Sequence, residues 1–134
     1  MTMNFNKRRE MISLLREMCS PDLQRHLWIE KKDYPNASGI DEVFHFLFDD
    51  TNLGSDPESE VGNFLESTEE ASRIALICRG LEVMLNRLGN VDSEAYLDDP
   101  QWASIAKLAE SALQVTAIGI IDESKIKGLA PPAG

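Results

Sequence analysis

Signatures of chemistry are what this sequence lacks most plainly. It has no glycine-rich phosphate loop, no GxGxxG turn, no GxSxG elbow and no HExxH helix. Cysteine is scarce. Cys19 and Cys78 are the only two, far apart and outside any CxxC pair, which excludes the common zinc and dithiol motifs. No apolar run reaches the ~18 residues of a membrane span. Lys7-Arg8-Arg9 is interrupted by Glu10, Arg16 and Glu17 instead of leading into an apolar signal core. Two reduced thiols and no signal core are what a protein made and kept in the cytosol would show. Basic charge is also short. Thirteen Lys and Arg against 23 Asp and Glu give a net charge of −10, which argues against nucleic acid and anionic membranes as direct partners. Internal repeats are absent. A chain of 134 residues that is 43 % apolar has room for one domain with one modest core and is too apolar for wholesale disorder.

The acidic charge is unevenly placed. Residues 41–70 hold ten acids and no base, and so account for the whole net charge. Glu69 and Glu70 are explained locally. Ser67-Thr68-Glu69-Glu70 reads as a capping box, in which the Ser67 hydroxyl accepts from the Glu70 N–H and the Glu70 carboxylate reaches back to the Ser67 N–H. Eight acids are left with no counterion in the segment. A solvated loop is the bland account of them. The functional account is a surface that steers basic partners and mimics a phosphate backbone. Asp41, Glu42, Asp49, Asp50, Asp56, Glu58 and Glu60 are its best-placed contacts.

Periodicity predicts an α+β domain, mainly helical, with a small antiparallel sheet of two or three strands. A first helix is expected over residues 7–19, with Met11, Leu15 and Met18 on its apolar face. Ser20-Pro21 restarts a short helix, with Ser20 as N-cap and Pro21 at its first position. Strands are expected at 28–32, 42–49 and 61–65. In the second, Phe44, Phe46 and Phe48 alternate with Val43, His45 and Leu47. The third helix starts at the capping box, runs along Ile74, Ile77, Leu81, Met84, Leu85 and Leu88, and stops at Gly89. Residues 91–98 form a connector with one turn of helix. Asp99-Pro100 then opens a fourth helix to about residue 117, burying Trp102, Ile105, Leu108, Ala109, Ala112 and Leu113. Residues 1–117 make the globular domain. Residues 118–134 are a C-terminal extension whose Gly-Leu-Ala-Pro-Pro-Ala-Gly end is read as disordered.

Catalytic, cofactor-binding and metal-ligating sets are not found. His45 and Asp49 on a strand would lie about 13 Å apart at ~3.3 Å per residue, too far for a shared proton or metal. Asp49-Asp50 and Asp98-Asp99 are neighbours that do not converge on one atom, so paired-carboxylate hydrolysis is unsupported. Met11, Met18 and Met84 fit a core, and Cys78 reads as a buried free thiol.

Four stretches carry a resemblance: Pro-Asp-Leu-Gln-Arg-His-Leu-Trp-Ile-Glu at 21–30, Leu-Phe-Asp-Asp-Thr at 47–51, Asp-Pro-Glu-Ser-Glu-Val-Gly at 56–62, and Ala-Tyr-Leu-Asp-Asp-Pro-Gln-Trp at 95–102. In this order they resemble a family of small uncharacterised bacterial proteins, well represented in actinobacteria. The resemblance implies a compact cytosolic α+β domain and no enzyme activity. By type, a small acidic chain without catalytic motifs also looks like the immunity proteins of contact-dependent or polymorphic toxin systems. The expected partner is a cognate toxin domain, such as a basic nuclease. The alternative is a structural or regulatory interaction domain, monomeric or homodimeric through the third helix or the apolar strand. A small enzyme built on His45 is the third reading.

Overall fold

A computed structural model of the chain describes residues 3–30 and 39–124. Residues 1–2, 31–38 and 125–134, with the end of the strand expected at 28–32 and the disorder read at the C-terminal end, lie outside the described residues. Among the described residues the architecture is all helical. This corrects the α+β expectation: no strand is present, and Val61 and Leu65 form only an isolated bridge pair. Among the described residues six α-helices occur in order: α1 (Phe5–Met18), α2 (Pro21–Leu23), α3 (Ile40–Phe44), α4 (Thr68–Leu88), α5 (Ser93–Asp98) and α6 (Trp102–Ser124), with a 3₁₀ turn at Pro57–Glu60. α2 and α3 each continue without a break into wider, π-helical turns, Gln24–Glu30 and His45–Asp50.

The described parts of all three expected strands are therefore something else. Residues 24–30 are helical and bury Trp28. Residues 40–50 are helical, with Ile40, Val43, Phe46 and Leu47 inside. These positions follow the i, i+3, i+7 spacing of a helix face. Phe44 and Phe48, four apart, stack at 5.8 Å between ring centroids. Residues 61–65 are a tight loop, in which the Glu60 carbonyl accepts from the N–H groups of Asn63, Phe64 and Leu65.

Most helix starts follow the sequence, but α6 does not: Asp99-Pro100, expected to open it, forms the turn after α5, and the helix begins at Trp102. The Asn4 side chain accepts from the Lys7 N–H at 3.0 Å. Ser20 Oγ accepts from the Leu23 N–H, with Pro21 next. Asp92 caps α5 through the Ala95 N–H. α4 ends at Gly89, whose φ of +78° favours glycine and whose N–H donates to the Leu85 carbonyl. Gln24 closes the end of α1 by donating from Nε2 to the carbonyls of Glu17 and Met18, groups that a helix end otherwise leaves unpaired.

The core lies between α1, α4 and α6, with residues 40–50 covering one side. On α4, Ala71, Ile74, Ile77, Cys78, Leu81 and Met84 are all fully buried. Leu85, expected on the same stripe, is instead 40 % exposed. Cys78 Sγ lies 3.6 Å from the Leu53 carbonyl, and burial pushes its thiol up to about 12. Trp28 and Trp102 meet edge to face at 5.9 Å, and Trp28 Nε1 donates to Glu17 Oε1 at 2.8 Å.

Where α4 crosses α6, Gly80 allows the close approach. A Cβ there would stand 2.5 Å from Ile105 Cδ1. Gly80→Ala gains about 1 kcal/mol of helix propensity but overpacks a filled site, which costs about 1–3 kcal/mol. The expected result is a net loss near 1 kcal/mol in thermal unfolding. Adding Ile105→Val removes the offending methyl, so the pair will lose less than the two single changes summed. A rise in Tm for Gly80→Ala alone would show that the crossing has slack.

α4 is also tied by charge to the turn between α5 and α6. Arg87 donates from Nη1 and Nη2 to the two oxygens of Asp99, at 2.8 and 2.7 Å. Asp99 also accepts from the Gln101 N–H. The Arg87 hydrogen bonds, then the backbone N–H, hold the Asp99 carboxyl down at about 2. A depressed acid stabilises the fold above its ordinary value of 3.8, and the contribution is lost as pH falls towards 2. The stability gap between wild type and Asp99→Asn will therefore be flat above about pH 4 and close below it. A gap that stays constant down to pH 2 would contradict the pairing.

Candidate functional site

Folding residues 40–50 as a helix redistributes the acids. Asp41, Glu42, Asp49 and Asp50 are exposed on this helical segment, and Asp56 and Glu58 are exposed on the loop that follows it. Glu60, expected with them at the surface, is turned inward instead. Its carboxylate accepts from the Asn52 N–H at 2.8 Å and from Asn63 Nδ2 at 2.9 Å. It staples the loop at 51–63 from within. Among the described residues, only Lys7 and His45 come within ion-pair distance of the six exposed acids.

Lys7 Nζ lies 2.8 Å from Asp50 and 5.6 Å from the centre of the Phe46 ring. The hydrogen bond from Lys7 lowers the Asp50 carboxyl, and the same bond raises Lys7. This pair joins α1 to the end of the 45–50 turn. His45 Nδ1 is 3.4 Å from Asp49 Oδ2. The ~13 Å separation expected on a strand is thus corrected, because i and i+4 are neighbours on a helix. Both side chains are more than half exposed, so the pair is a surface contact of small energetic weight. Among the described residues, no group of three or more His, Cys, Asp or Glu is arranged to hold a metal.

A groove of about 370 Å³ opens between residues 40–50 and α4. Asp41, Phe44, Phe48 and Asp49 line it from one side, and Glu82, Leu85 and Asn90 from the other. Its floor continues an aromatic ladder: Phe48 stacks on Phe44, and Phe44 meets Tyr96 edge to face at 5.7 Å. The Tyr96 hydroxyl donates to the Gly89 carbonyl, which fixes the ladder to the end of α4. Burial, and then the charge of Asp41, push the Tyr96 phenol above its ordinary value. A volume above ~300 Å³ is enough to take a side chain or small ligand.

Sequence reasoning picked out Asp41 and Asp49 but not the groove. Glu82 and Leu85 were not among the expected contacts, although a signal existed. The stripe Ile74, Ile77, Leu81, Met84 and Leu88 is complete without Leu85, which lies about 100° from Met84 around the helix. Its i−3 neighbour on the same flank is Glu82.

None of the described helices is long and apolar enough to cross a membrane. Nothing among curated proteins and nothing among solved structures matches the chain. A family profile does match, over residues 3–123. On that match, which spans most of the sequence, the chain belongs to a domain family of unknown function, DUF7945.

Proposed function

We propose that this protein is an immunity protein, one that binds a secreted antibacterial toxin domain in the bacterial cytosol and blocks it without turnover. One observation carries the reading: six exposed carboxylates, Asp41, Glu42, Asp49, Asp50, Asp56 and Glu58, run along residues 40–58, with only Lys7 and His45 paired to them among the described residues. Such a face accelerates encounter with a basic domain and selects against acidic ones. A nuclease domain, basic because it grips phosphates, is a partner of that kind.

The test is a tagged pull-down at low salt, eluted at high salt, followed by co-expression of the retained protein. The expected result is one stoichiometric partner with a basic domain that is toxic alone and harmless together with this chain. Changing Asp49, Asp50, Asp56 and Glu58 to Lys should weaken that complex by at least ~100-fold, as like-charge contact replaces complementarity. Undiminished binding by this variant would remove the acidic face from the mechanism.

A second reading has its own observation. α4 leaves Leu76 and Val83 more than half exposed. They are seven apart and so share one face. That face would suit a second copy of the chain, as a homodimeric interaction domain. A sedimentation dilution series that stays monomeric would dismiss it.

A further inference from the structure

We infer that the groove between residues 40–50 and α4 receives an arginine side chain carried by a protein partner. The inference rests on the docking reading above and names the anchor within it. Three features select the occupant. Asp41, Asp49 and Glu82 wall the groove with carboxylates. Asp49 and Glu82 already contact nitrogen donors loosely: His45 Nδ1 at 3.4 Å and Arg79 Nη1 at 3.5 Å, both pairs on exposed surface. Phe44 and Phe48 supply a stacked aromatic floor, and Leu85 an apolar end.

A carboxylate wall over an aromatic floor matches a guanidinium better than an ammonium. Guanidinium is planar, stacks on ring faces and bonds carboxylates through two N–H groups at once. It also sheds its water more readily, which a half-apolar groove requires. An anion is excluded by charge, and a purely apolar side chain would leave the carboxylates facing it. Arginine is also among the residues that carry the most energy at protein interfaces.

The probe is acetyl-Leu-Arg-amide, with its citrulline analogue, which keeps the shape and removes the charge. Each is titrated to about 10 mM, the range of a weak single-anchor contact, into the ¹⁵N-labelled full-length chain. The expected result is saturable amide shifts centred on Phe44, Phe48 and Leu85. The citrulline peptide should bind roughly tenfold more weakly, as one cation–π and ion-pair contact implies. Asp41→Asn with Glu82→Gln should weaken the arginine peptide similarly. Asp56→Asn with Glu58→Gln, the same charge change away from the groove, should not.

Absence of shifts, shifts spread over all exposed acids, or equal binding of the citrulline peptide would each overturn the assignment. So would tighter binding of agmatine, the free guanidinium amine, which would point to a small-molecule site. The outcomes separate this inference from the immunity reading. Groove shifts with no toxin captured would sink immunity and keep the groove. A toxin that binds the Asp41→Asn/Glu82→Gln variant undiminished would sink the groove and keep immunity.

Discussion

Glu70→Ala will cost about 3–5 kcal/mol of folding stability, because it leaves a buried guanidinium unpaired. Arg8 is 1 % exposed and its charge has four acceptors. Nη1 and Nη2 donate to the two Glu70 oxygens at 3.0 and 2.9 Å, and the same nitrogens reach the Phe64 and Thr116 carbonyls. The cluster joins α1, the 61–66 loop, α4 and α6. Burial pulls the Arg8 pKa down, but the hydrogen bonds and charge of Glu70, with Glu66, more than reverse it. Arg8→Met should cost less than Glu70→Ala. The stranded Glu70 carboxylate keeps the Glu66 N–H at 2.8 Å and sits in the first turn of α4, where the helix dipole favours it. The double variant Arg8→Met/Glu70→Ala should lose less than the single changes summed, yet remain below wild type, since two buried carbonyls lose their donor. Urea unfolding followed by circular dichroism measures all three. A domain of this kind holds about 5–15 kcal/mol in total, so the single change removes a large fraction. A loss under about 1 kcal/mol for Glu70→Ala would mean that water reaches Arg8.

The second large effect is at Trp28. Trp28→Ala removes a side chain that is 2 % exposed and should cost about 3–5 kcal/mol. Trp28→Phe separates the two parts of that loss. It keeps a ring against Trp102 but gives up the hydrogen bond to Glu17 Oε1. Removing that bond to a charged acceptor accounts for about 1.5–3 kcal/mol, so Phe should fall between wild type and Ala. The same measurement with Glu17→Gln should lose less than Trp28→Phe, since the amide oxygen still accepts. If Trp28→Phe matched wild type, the ring packing alone would hold residues 24–30 in place.

The capping signals were legible because each needs only neighbours in sequence. Asn4, Ser20, Ser67 and Gly89 all stand at helix ends as their chemistry demands, whereas Asp99, read as the cap of the fourth helix, ends α5 and spends its carboxylate on Arg87. The capping box at Ser67 is half realised. Ser67 Oγ accepts from the Glu70 N–H, but the Glu70 carboxylate bonds the Glu66 N–H and the Arg8 fork instead of the Ser67 N–H. A bidentate charged pair outweighs one neutral contact, and Arg8 is 62 residues away, beyond any local reading. The Val43–Phe48 run misled for another reason. Six consecutive residues of mostly β-favouring type satisfy period two and period 3.6 almost equally. Burial decided it: Val43, Phe46 and Leu47 face the core while Phe44 and Phe48 flank it. Gly39 before it and Asp41-Glu42 in the first turn were the local hint of a helix start. The acidic face was legible as composition. The groove within it was not, since Glu82 and Leu85 join it only through the packing of α4.

The two thiols give the molecule a built-in clock. Cys78, sealed under the Leu53 carbonyl, holds its proton at neutral pH, so an alkylating reagent that attacks thiolate meets it only when α4 parts from its neighbours. Cys19, half-buried at the end of α1, reports earlier and shallower openings. The ratio of the two labelling rates would then read, with no denaturant added, how often the interior is exposed relative to the end of α1.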